Sequence, residues 1–250
     1  MDLERFFREH PRVGVAFSGG VDSAYLLCAA KRYARQVKAY YVKTPFQPQF
    51  ELDDAIALAR ELGTDMEILP FDVLTIPEVA ANPANRCYFC KRALFSRIVE
   101  AAERDGFPCL LDGTNASDDA SDRPGMRALQ ELKVLSPLRL CGLTKSEIRR
   151  LSKEAGLFTH DKPAYACLAT RIPTGITITP DLLEKTEKAE GCLTGLGFRD
   201  FRVRLMGKDA KLQVTAEDLK KVLSHREELV RELKKYYNSV LLDLEVRHEQ

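Results

Sequence analysis

The chain has 250 residues, of which 45% are hydrophobic and 30% are charged, and its formal net charge is +1 at pH 7. This composition suits a folded, soluble protein, and the small net charge gives no general attraction to nucleic acid. No run of about 18 apolar residues exists, which excludes a transmembrane helix. The charged start at residues 1–5 does not resemble a secretion signal. We therefore expect a cytoplasmic protein whose seven cysteines are mostly reduced thiols.

Strand and helix signals alternate up to residue 140. The predicted strands are 13–17, 37–42, 66–69, 109–111 and 134–135, and the predicted helices are 24–35, 51–62 and 91–104. Short apolar runs separated by helices indicate a parallel sheet with helices on both faces. The sequence therefore predicts an α/β fold with a doubly wound, five-stranded parallel sheet, whose ligand site lies at the carboxyl ends of the strands.

The second half of the chain begins with a helix signal. Thr144 and Glu147 have the spacing of a capping box, and the helix that they open is predicted to end at Gly156. The later predicted elements are a loop (157–178), a helix (179–193), two strands joined at Gly207 (201–206 and 210–214), a long charged helix (216–236) and a strand (239–245). We therefore predict a principal domain over 1–156, the loop 157–178, and a small α+β domain over 179–250.

The segment SGGVDS at 18–23 lies between the first predicted strand and the first predicted helix. Such a turn directs backbone N–H groups and the positive end of a helix at one point, which forms a pocket for an anion. Its two glycines allow close approach of the main chain, and Ser18 and Ser23 add hydroxyl donors. Asp22 would repel a bare phosphate, so it indicates a bound Mg²⁺. The segment has neither the Walker A ending nor the dinucleotide-binding spacing.

A second polar motif, DGTN at 112–115, follows the predicted strand 109–111. Because both motifs follow strands of one parallel sheet, we expect this segment to contact the same ligand. Turns favour these residue types in any case, so the motif is informative only beside the first one. Asp118 and Asp119 are either further Mg²⁺ ligands or part of a solvated loop.

Three of the cysteines stand in distinctive surroundings. Cys87 and Cys90 have C-x-x-C spacing just before a predicted helix, whose N-terminus favours the thiolate form. A single pair does not support a four-cysteine zinc site, and the usual thioredoxin context is absent. Cys167 lies in a loop with a proline on either side and Arg171 nearby. Three cysteines could hold an iron–sulfur cluster with one open iron, whereas the alternative is a purely structural pair at 87 and 90.

Two arginines alternate along a predicted strand of the second half. Arg202 and Arg204 are two residues apart, so both guanidinium groups lie on one face of the strand. Paired guanidinium groups suit a phosphate or a carboxylate, although a solvated strand face explains the same pattern. Glu190, by itself, reads equally well as a surface helix residue.

In their order along the chain, these motifs resemble the LarE family of ATP-dependent sulfur transferases, a branch of the PP-loop ATP pyrophosphatases. The resembling segments are 18–23, 86–91, 112–119, 122–128, 142–149, 161–173, 189–190 and 197–204. The resemblance implies an enzyme that uses Mg²⁺ and ATP to adenylylate carboxyl groups of pyridinium-3,5-biscarboxylic acid mononucleotide. It also implies conversion of these groups to thiocarboxylates for the nickel-pincer cofactor of lactate racemase. The implied nucleotide-binding residues are Ser18, Gly19, Gly20, Asp22, Ser23 and Gly113.

The resemblance also assigns roles in the second half of the chain. It implies that Arg202 and Arg204 bind the substrate phosphate and that Glu190 is a catalytic or positioning acid. Some family members give up the sulfur of the cysteine that matches Cys167, which becomes dehydroalanine. Others hold a 4Fe-4S cluster, which delivers sulfide from an external donor, on cysteines that match Cys87, Cys90 and Cys167. This sequence has all three cysteines, so we expect the cluster-dependent type, and the family also implies a homo-oligomer.

Three other functions stay open at the level of sequence. A tRNA thiolase would combine the same ATP site with a different substrate, but it normally shows a basic stripe or an added RNA-binding domain. An amide-forming synthetase of the NAD or GMP type would need free ammonia, because no glutaminase region fits in 250 residues. The third possibility is a nucleotide-sensing or metal-storing module without catalytic activity.

Overall fold

The computed structural model describes residues 2–118 and 124–247. The strands are β1 (Arg12–Ala16), β2 (Gln36–Lys43), β3 (Met66–Pro70), β4 (Cys109–Leu111), β5 (Phe201–Met206), β6 (Asp209–Val214) and β7 (Val240–Leu242). The helices are α1 (Leu3–Glu9), α2 (Val21–Tyr33), α3 (Gln49–Glu61), α4 (Pro77–Ala80), α5 (Arg86–Arg104), α6 (Pro124–Glu131), α7 (Pro137–Leu140), α8 (Lys145–Glu154), α9 (Pro180–Gly195), α10 (Leu219–Ser224) and α11 (Arg226–Leu233). Among the described residues, no helix is long and apolar enough to cross a membrane.

The chain divides into two compact units. The first unit comprises Met1–Val73 and Asn85–Lys162, and the second comprises Leu74–Ala84 and Pro163–Gln250. The segment with α4 therefore interrupts the first unit and belongs to the second. Asn82, which follows α4, is buried and donates side-chain hydrogen bonds to the carbonyl groups of Ile172, Pro173 and Ile176. The predicted domain boundaries at 156 and 178 stay predictions.

The first unit contains a parallel sheet with the order β3-β2-β1-β4. Alternate residues of β2 explain why helices cover both of its faces. Ala39 and Tyr41 pack into a cluster with α2 and α3, whereas Tyr40 and Val42 pack into another with α5 and α6. The α/β class and the doubly wound parallel sheet are confirmed. In place of the predicted fifth strand, Leu135 alone forms a parallel bridge with Leu111.

Helix α5 begins earlier than its sequence pattern predicts. The prediction started the helix at Lys91, after the C-x-x-C pair, but the structure starts it at Arg86. Arg86 is buried, with its guanidinium 6.0 Å from the centroid of the Phe46 ring. Arg86, Tyr88 and Phe89, which precede the predicted start, are thus part of the helix. Cys87 and Cys90 consequently lie within the first turns of α5, not before the helix.

The second unit contains a small sheet with the order β5-β6-β7, in which β5 and β6 form an antiparallel hairpin and β7 is parallel to β6. The hairpin turns at Gly207, whose φ of +63° favours glycine. The prediction of one helix over 216–236 is wrong, because α10 and α11 are separate helices that meet at His225. The His225 ring bonds back to the Lys221 carbonyl at 3.0 Å and packs edge-on against Phe198. These contacts fix the break between the helices.

Candidate active site

The loop of residues 18–23, between β1 and α2, has the geometry of an anion site, and we call it the anion loop. Gly20 is the N-cap residue of α2 and offers no side-chain cap. In the part of the chain that the structure describes, the backbone N–H groups of Val21, Asp22 and Ser23 have no hydrogen-bond acceptor. Three donors at the positive end of a 13-residue helix are thus available to a ligand.

Glycine is required at position 19, just before the N-cap residue of α2, for two reasons. Gly19 has a φ of +75°, which other residues rarely adopt. A Cβ there would also lie 3.2 Å from the carbonyl oxygen of Glu51 and from the Cβ of Ala55 on α3. The loop therefore packs closely against α3 in a conformation that glycine makes accessible.

The two serines of the loop hold its ends together. Their hydroxyl oxygens, on Ser18 and Ser23, lie 3.1 Å apart. The Ser23 hydroxyl also accepts from the Ser18 N–H at 3.2 Å and donates to the Gly20 carbonyl at 3.1 Å. Ser23 is buried, whereas Ser18 is exposed. Ser23 thus fixes the shape of the loop, and Ser18 is the hydroxyl accessible to a ligand.

Asp22 has two partners that lie far from it in sequence. Lys145, at the start of α8, places its Nζ 2.5 Å from Asp22 Oδ2, and the Asn115 amide donates to Oδ1 at 3.3 Å. The predicted capping box of Thr144 and Glu147 is present, and it fixes the position of Lys145. No local sequence pattern connects Lys145 to Asp22, because the two residues lie far apart in the chain. A cation already neutralises the carboxylate that was predicted to hold Mg²⁺.

The DGTN motif lies beside the same loop. A Cβ on Gly113 would be 2.9 Å from the Ser23 backbone nitrogen, so only glycine fits without a shift. Asp112 is buried and accepts hydrogen bonds from the hydroxyl groups of Thr114 and Ser136, which shapes the turn. Asp118 accepts from the Asn115 N–H at 3.0 Å. Asp119 lies outside the described residues.

A further lysine close to the loop was not singled out from the sequence. Lys162 places its Nζ 2.7 Å from Asp54 Oδ2 and 3.2 Å from Glu51 Oε1, both on α3. The same ammonium lies 3.5 Å from the Gly19 carbonyl oxygen. Burial raises the pKa of Glu51, an effect that Lys162 opposes. Lys162 therefore joins α3 to the anion loop.

The C-x-x-C pair is accessible on the surface of the first unit. Cys87 is exposed and Cys90 is half-buried, and the two lie three residues apart at the start of α5, on one side of the helix. Thiolates at a helix N-terminus suit a soft metal or an iron–sulfur cluster. Within residues 2–118 and 124–247, no group of three or more His, Cys, Asp or Glu side chains is arranged to hold a metal ion.

Cys167 belongs to the second unit, where it precedes a 3₁₀-helix over Leu168–Arg171. Its side chain is half-buried, and its carbonyl oxygen accepts from the Thr170 N–H at 2.9 Å and from the Thr170 hydroxyl at 2.8 Å. The nearby Arg171 side chain donates to the Ala166 carbonyl at 2.8 Å. The backbone on both sides of Cys167 is therefore held in place.

Glu190 is buried, which overturns its interpretation as a surface helix residue. Its Oε1 accepts from Arg171 Nε at 2.7 Å and from the Val203 N–H at 2.9 Å. Its Oε2 accepts from the Tyr165 hydroxyl at 2.6 Å and from Arg171 Nη2 at 3.0 Å. We call Glu190, Arg171 and Tyr165 the Glu190 cluster. Its carboxylate is fully engaged in positioning other groups.

Arg202 and Arg204 do not form a solvated strand face. Arg202 is buried and donates to the Ala164 and Phe201 carbonyl groups, each at 2.6 Å. Arg204 is half-buried and donates to the Thr170 carbonyl at 2.6 Å. Burial, with the charges of Arg171 and Arg247, lowers the pKa of Arg202 to about 10. Asp200 opposes this effect in part, since it lies 3.4 Å from Arg202 and 3.1 Å from Arg247, and a bound anion would oppose it further.

Comparisons with known proteins agree with this geometry. The sequence model of the asparagine synthase family matches residues 4–114, which include the anion loop and the start of the DGTN motif. An uncharacterized protein of Synechocystis sp. is 35% identical over 98% of this chain and 92% of its own length. The pyridinium-3,5-bisthiocarboxylic acid mononucleotide synthase of Lactiplantibacillus plantarum is 31% identical over 93% of this chain and 86% of its own.

A more distant relative shares part of the chain. The tRNA-specific 2-thiouridylase MnmA of a Thermotoga species is 28% identical over 60% of this chain and 54% of its own length. The open N–H groups at 21–23, the glycine contact at 113 and the near full-length similarity to the Lactiplantibacillus synthase agree with one another. The chain therefore belongs to the LarE family of ATP-dependent sulfur transferases, within the PP-loop superfamily.

Proposed function

We propose that the enzyme adenylylates a carboxylate of pyridinium-3,5-biscarboxylic acid mononucleotide and converts it to a thiocarboxylate, in the synthesis of a nickel-pincer cofactor. The observation that carries this proposal is the open helix N-terminus at 21–23, in a chain 31% identical to a bisthiocarboxylic acid mononucleotide synthase. A carboxylate oxygen cannot leave readily, so attack by sulfur first requires activation. Transfer of AMP from ATP supplies this activation and makes AMP the leaving group.

In the first step, a substrate carboxylate oxygen attacks the α-phosphorus of ATP, and pyrophosphate leaves. We assign pyrophosphate binding to the N–H groups of residues 21–23 and the hydroxyl of Ser18, with the helix dipole favouring the negative charge. Asp22 provides a carboxylate for the Mg²⁺ that accompanies ATP. Lys145 now neutralises Asp22 at 2.5 Å, and we propose that its ammonium turns to the phosphates when Mg²⁺ binds.

In the second step, hydrosulfide attacks the acyl carbon, and AMP leaves with the electron pair of the broken C–O bond. The products are a thiocarboxylate, AMP and a proton. We place the site of this attack beside Cys167, as a ligand of the cluster that would deliver the hydrosulfide, and the backbone at this residue is held by contacts of Thr170 and Ala166. Arg202 and Arg204 would bind the phosphate of the mononucleotide, because burial and the nearby charges of Arg171 and Arg247 disfavour their cationic forms, and a bound dianion would favour them.

Glu190 has a positioning role in this proposal. Both of its oxygens already accept hydrogen bonds, including two from Arg171, so it is not poised to take a proton from the substrate. Through Arg171 and the Val203 N–H it fixes the loop of Cys167 and the strand of Arg202 and Arg204. Its contribution is therefore the geometry of the arginine pair.

The sulfur source is the finer part of the proposal. A 4Fe-4S cluster held by Cys87, Cys90 and Cys167 would leave one iron without a cysteine ligand, available to an external sulfide. The exposure of Cys87 and the helix N-terminal position of the pair are consistent with such thiolate ligands. In the alternative route, the Cys167 thiolate attacks the acyl carbon and AMP leaves, which gives a thioester. Loss of the Cα proton of Cys167 to a base then forms the Cα=Cβ bond, the thiocarboxylate leaves with the electron pair of the Cβ–Sγ bond, and the residue becomes dehydroalanine.

Anaerobic iron and acid-labile sulfide analysis of the wild type and of Cys87→Ala tests the sulfur source. About four irons per chain, lost in the variant, would support the cluster. Iron-free protein after reconstitution would contradict it, and a mass loss of about 34 Da after one turnover would then indicate a sacrificed cysteine. Substrate-dependent release of pyrophosphate and AMP tests the activation step independently of the sulfur source.

A tRNA thiolase is the second candidate function, because the Thermotoga thiouridylase matches 60% of this chain. Filter binding of tRNA over a range of salt concentrations distinguishes the two substrates. An ammonia-dependent amide synthetase is the third, and ammonia-dependent AMP formation would reveal it. The proposed homo-oligomer is tested by light scattering on the purified protein.

A further inference from the structure

The first unit contains a cationic cavity at the amino ends of β1 and β2. The cavity has a volume of about 650 Å³, and its lining includes Arg12, Lys31, Arg35 and Phe107. The anion loop follows the carboxyl end of β1, so the two sites lie at opposite ends of that strand. At about 3.3 Å per residue, the five residues of β1 separate them by roughly 15 Å. The cavity is therefore distinct from the proposed ATP site.

The backbone around the cavity is fixed by the sheet. Arg12 pairs in register with Gln36 at the first positions of β1 and β2. The N–H groups of Arg35 and Gln36 both donate to the Pro11 carbonyl, at 2.9 and 3.0 Å. Arg12 and Arg35 consequently leave the main chain at adjoining points, where the backbone hydrogen bonds keep them together.

The positive charges of the cavity are not neutralised by the protein. In the part of the chain that the structure describes, neither Arg12 nor Arg35 forms an ion pair with a carboxylate. Lys31 donates to the Gly63 carbonyl at 2.7 Å, a neutral acceptor. The carboxylate in the lining, Asp105, is already bound by Lys38 at 2.5 Å and Arg104 at 2.9 Å. Three cations therefore share the cavity without a counter-charge of their own.

Arg12 and Arg35 differ from the exposed arginines that pair with a neighbouring carboxylate, as Arg5 does with Glu9 at 3.0 Å and Arg150 with Glu154 at 2.6 Å. Among the described residues, Arg32 and Arg60 are also exposed without an ion pair, so the distinguishing feature of Arg12 and Arg35 is that both line one cavity together with Lys31. The position of Lys31 in the last turn of α2 suits the helix dipole, but Arg12 and Arg35 are not in that helix. All three cations are exposed, so water and salt weaken their mutual repulsion, and a bound anion would neutralise what remains of it.

The chemistry of the walls indicates the class of ligand. Two guanidinium groups and an ammonium suit a phosphate dianion. A cavity of about 650 Å³ also has room for an organic group beyond the phosphate. The Phe107 ring, with the Arg12 guanidinium 5.8 Å from its centroid, provides an apolar wall. Three cations in a chain of net charge +1 are too few to favour an RNA backbone.

We propose that the cavity lined by Arg12, Lys31, Arg35 and Phe107 binds a small phosphate monoester, such as a sugar phosphate or a nucleoside monophosphate. The phosphate contacts the three cations, and the organic group lies against Phe107. This site is independent of the proposed sulfur transfer, because none of its residues contributes to the anion loop or to the Glu190 cluster.

Calorimetric titration with ribose 5-phosphate and with AMP, at low salt, tests the site. Arg12→Gln and Arg35→Gln are each expected to weaken one binding event at least tenfold, or about 1.4 kcal/mol, because each removes a charge-assisted hydrogen bond to the phosphate. The matched control is Arg5→Gln, which removes an exposed, ion-paired arginine and is expected to bind like the wild type. Titrations of Arg12→Gln and Arg35→Gln that equal the wild type would overturn the proposal, whatever other sites contribute.

Three further readouts keep the result unambiguous. Neither variant removes an ion pair, and Arg12→Gln loses an exposed contact with the Phe107 ring, so both variants are expected to keep the fold, with thermal unfolding midpoints within a few degrees of the wild type. Substrate-dependent pyrophosphate release is expected to be unchanged in both variants, and its loss would place these arginines in the reaction site and overturn the proposal. A third outcome would overturn the proposal in favour of RNA. In that case the wild type binds tRNA but neither phosphate monoester, and both variants lose tRNA binding.

Discussion

The anion loop and the Glu190 cluster differ in whether their polar groups already have hydrogen-bond partners within the protein. In the loop, the N–H groups of residues 21–23 have no acceptor among the described residues, and Gly20 provides no cap. In the cluster, both carboxylate oxygens of Glu190 accept two hydrogen bonds each, and Arg171 donates to the backbone as well. The loop is ready for a ligand, whereas the cluster is already complete.

This difference suits the loop to binding a ligand and the cluster to positioning its neighbours. Backbone donors that stay open cost the protein some stability, and an anion repays this cost only when it binds. A buried ion pair with every hydrogen bond satisfied instead locks the elements that carry it. Changes in the loop should therefore mainly reduce activity, and changes in the cluster should mainly reduce stability. The following predictions test that division, beginning with the largest effect.

Glu190→Gln should have the largest effect on stability. The substitution keeps the shape of the side chain but leaves the Arg171 guanidinium buried without its counter-charge. Breaking a buried ion pair in this way costs about 3–5 kcal/mol, which urea unfolding would measure. Glu184→Gln on the same helix is the matched control, because its pair with Lys188 is exposed and contributes less than about 1 kcal/mol. Equal effects of the two substitutions would contradict the distinction.

Asp22→Asn should mainly reduce activity. In the proposed function Asp22 is a ligand of the Mg²⁺ that accompanies ATP. Loss of this carboxylate is therefore expected to lower pyrophosphate release about 100-fold, equivalent to about 2.7 kcal/mol. The lost pair with Lys145 is partly exposed, so the free energy of unfolding should change by less than about 1 kcal/mol. Lys145→Gln leaves the carboxylate in place and should reduce activity less. A stable, fully active Asp22→Asn enzyme would remove Mg²⁺ binding from this residue.

The two sites also differ in how far sequence could predict them. The loop at 18–23 is local, since a strand, two glycines and a helix start suffice to specify it, and the structure has all three. The partner of Asp22 is Lys145, which no sequence spacing indicates. Glu190 similarly read as a surface residue, because its buried position depends on Arg171 and on Tyr165 from a separate loop.

The predicted ends of several helices were wrong for the same reason, since they depend on contacts distant in sequence. The start of α5 at Arg86 depends on contacts such as that with Phe46, from another part of the chain. The break between α10 and α11 depends on the packing of His225 against Phe198. The sheet order was predictable in class, because buried strands alternate with helices, but Leu135 forms a single bridge where a fifth strand was expected. Local patterns specified the elements, and tertiary contacts set their ends.

Gly113→Ala should affect the anion loop only through a steric clash of the added methyl group. The new Cβ would lie 2.9 Å from the Ser23 nitrogen, so the loop or the DGTN turn must shift. We expect a cost of about 1–3 kcal/mol, seen as a higher KM for ATP and a lower urea midpoint. Gly191→Ala is the matched control. A Cβ at that helical position meets no atom within 4 Å, so alanine should be neutral or stabilise by up to about 1 kcal/mol. An unchanged KM in Gly113→Ala would show that the loop tolerates the shift.

Tyr165→Phe gives the smallest effect and tests the cluster through pH. Burial and the neighbouring Glu190 carboxylate raise the pKa of Tyr165 above its ordinary value of about 10. In the unfolded chain the hydroxyl ionises near pH 10, whereas in the folded protein it keeps its proton. The stability that Tyr165 contributes is therefore fully present below pH 10 and is lost as the pH rises beyond it. Between pH 9 and 11, the free energy of unfolding should fall by about 1 kcal/mol more in the wild type than in Tyr165→Phe. Parallel urea midpoints over that range would mean that the hydroxyl of Tyr165 is not held by Glu190.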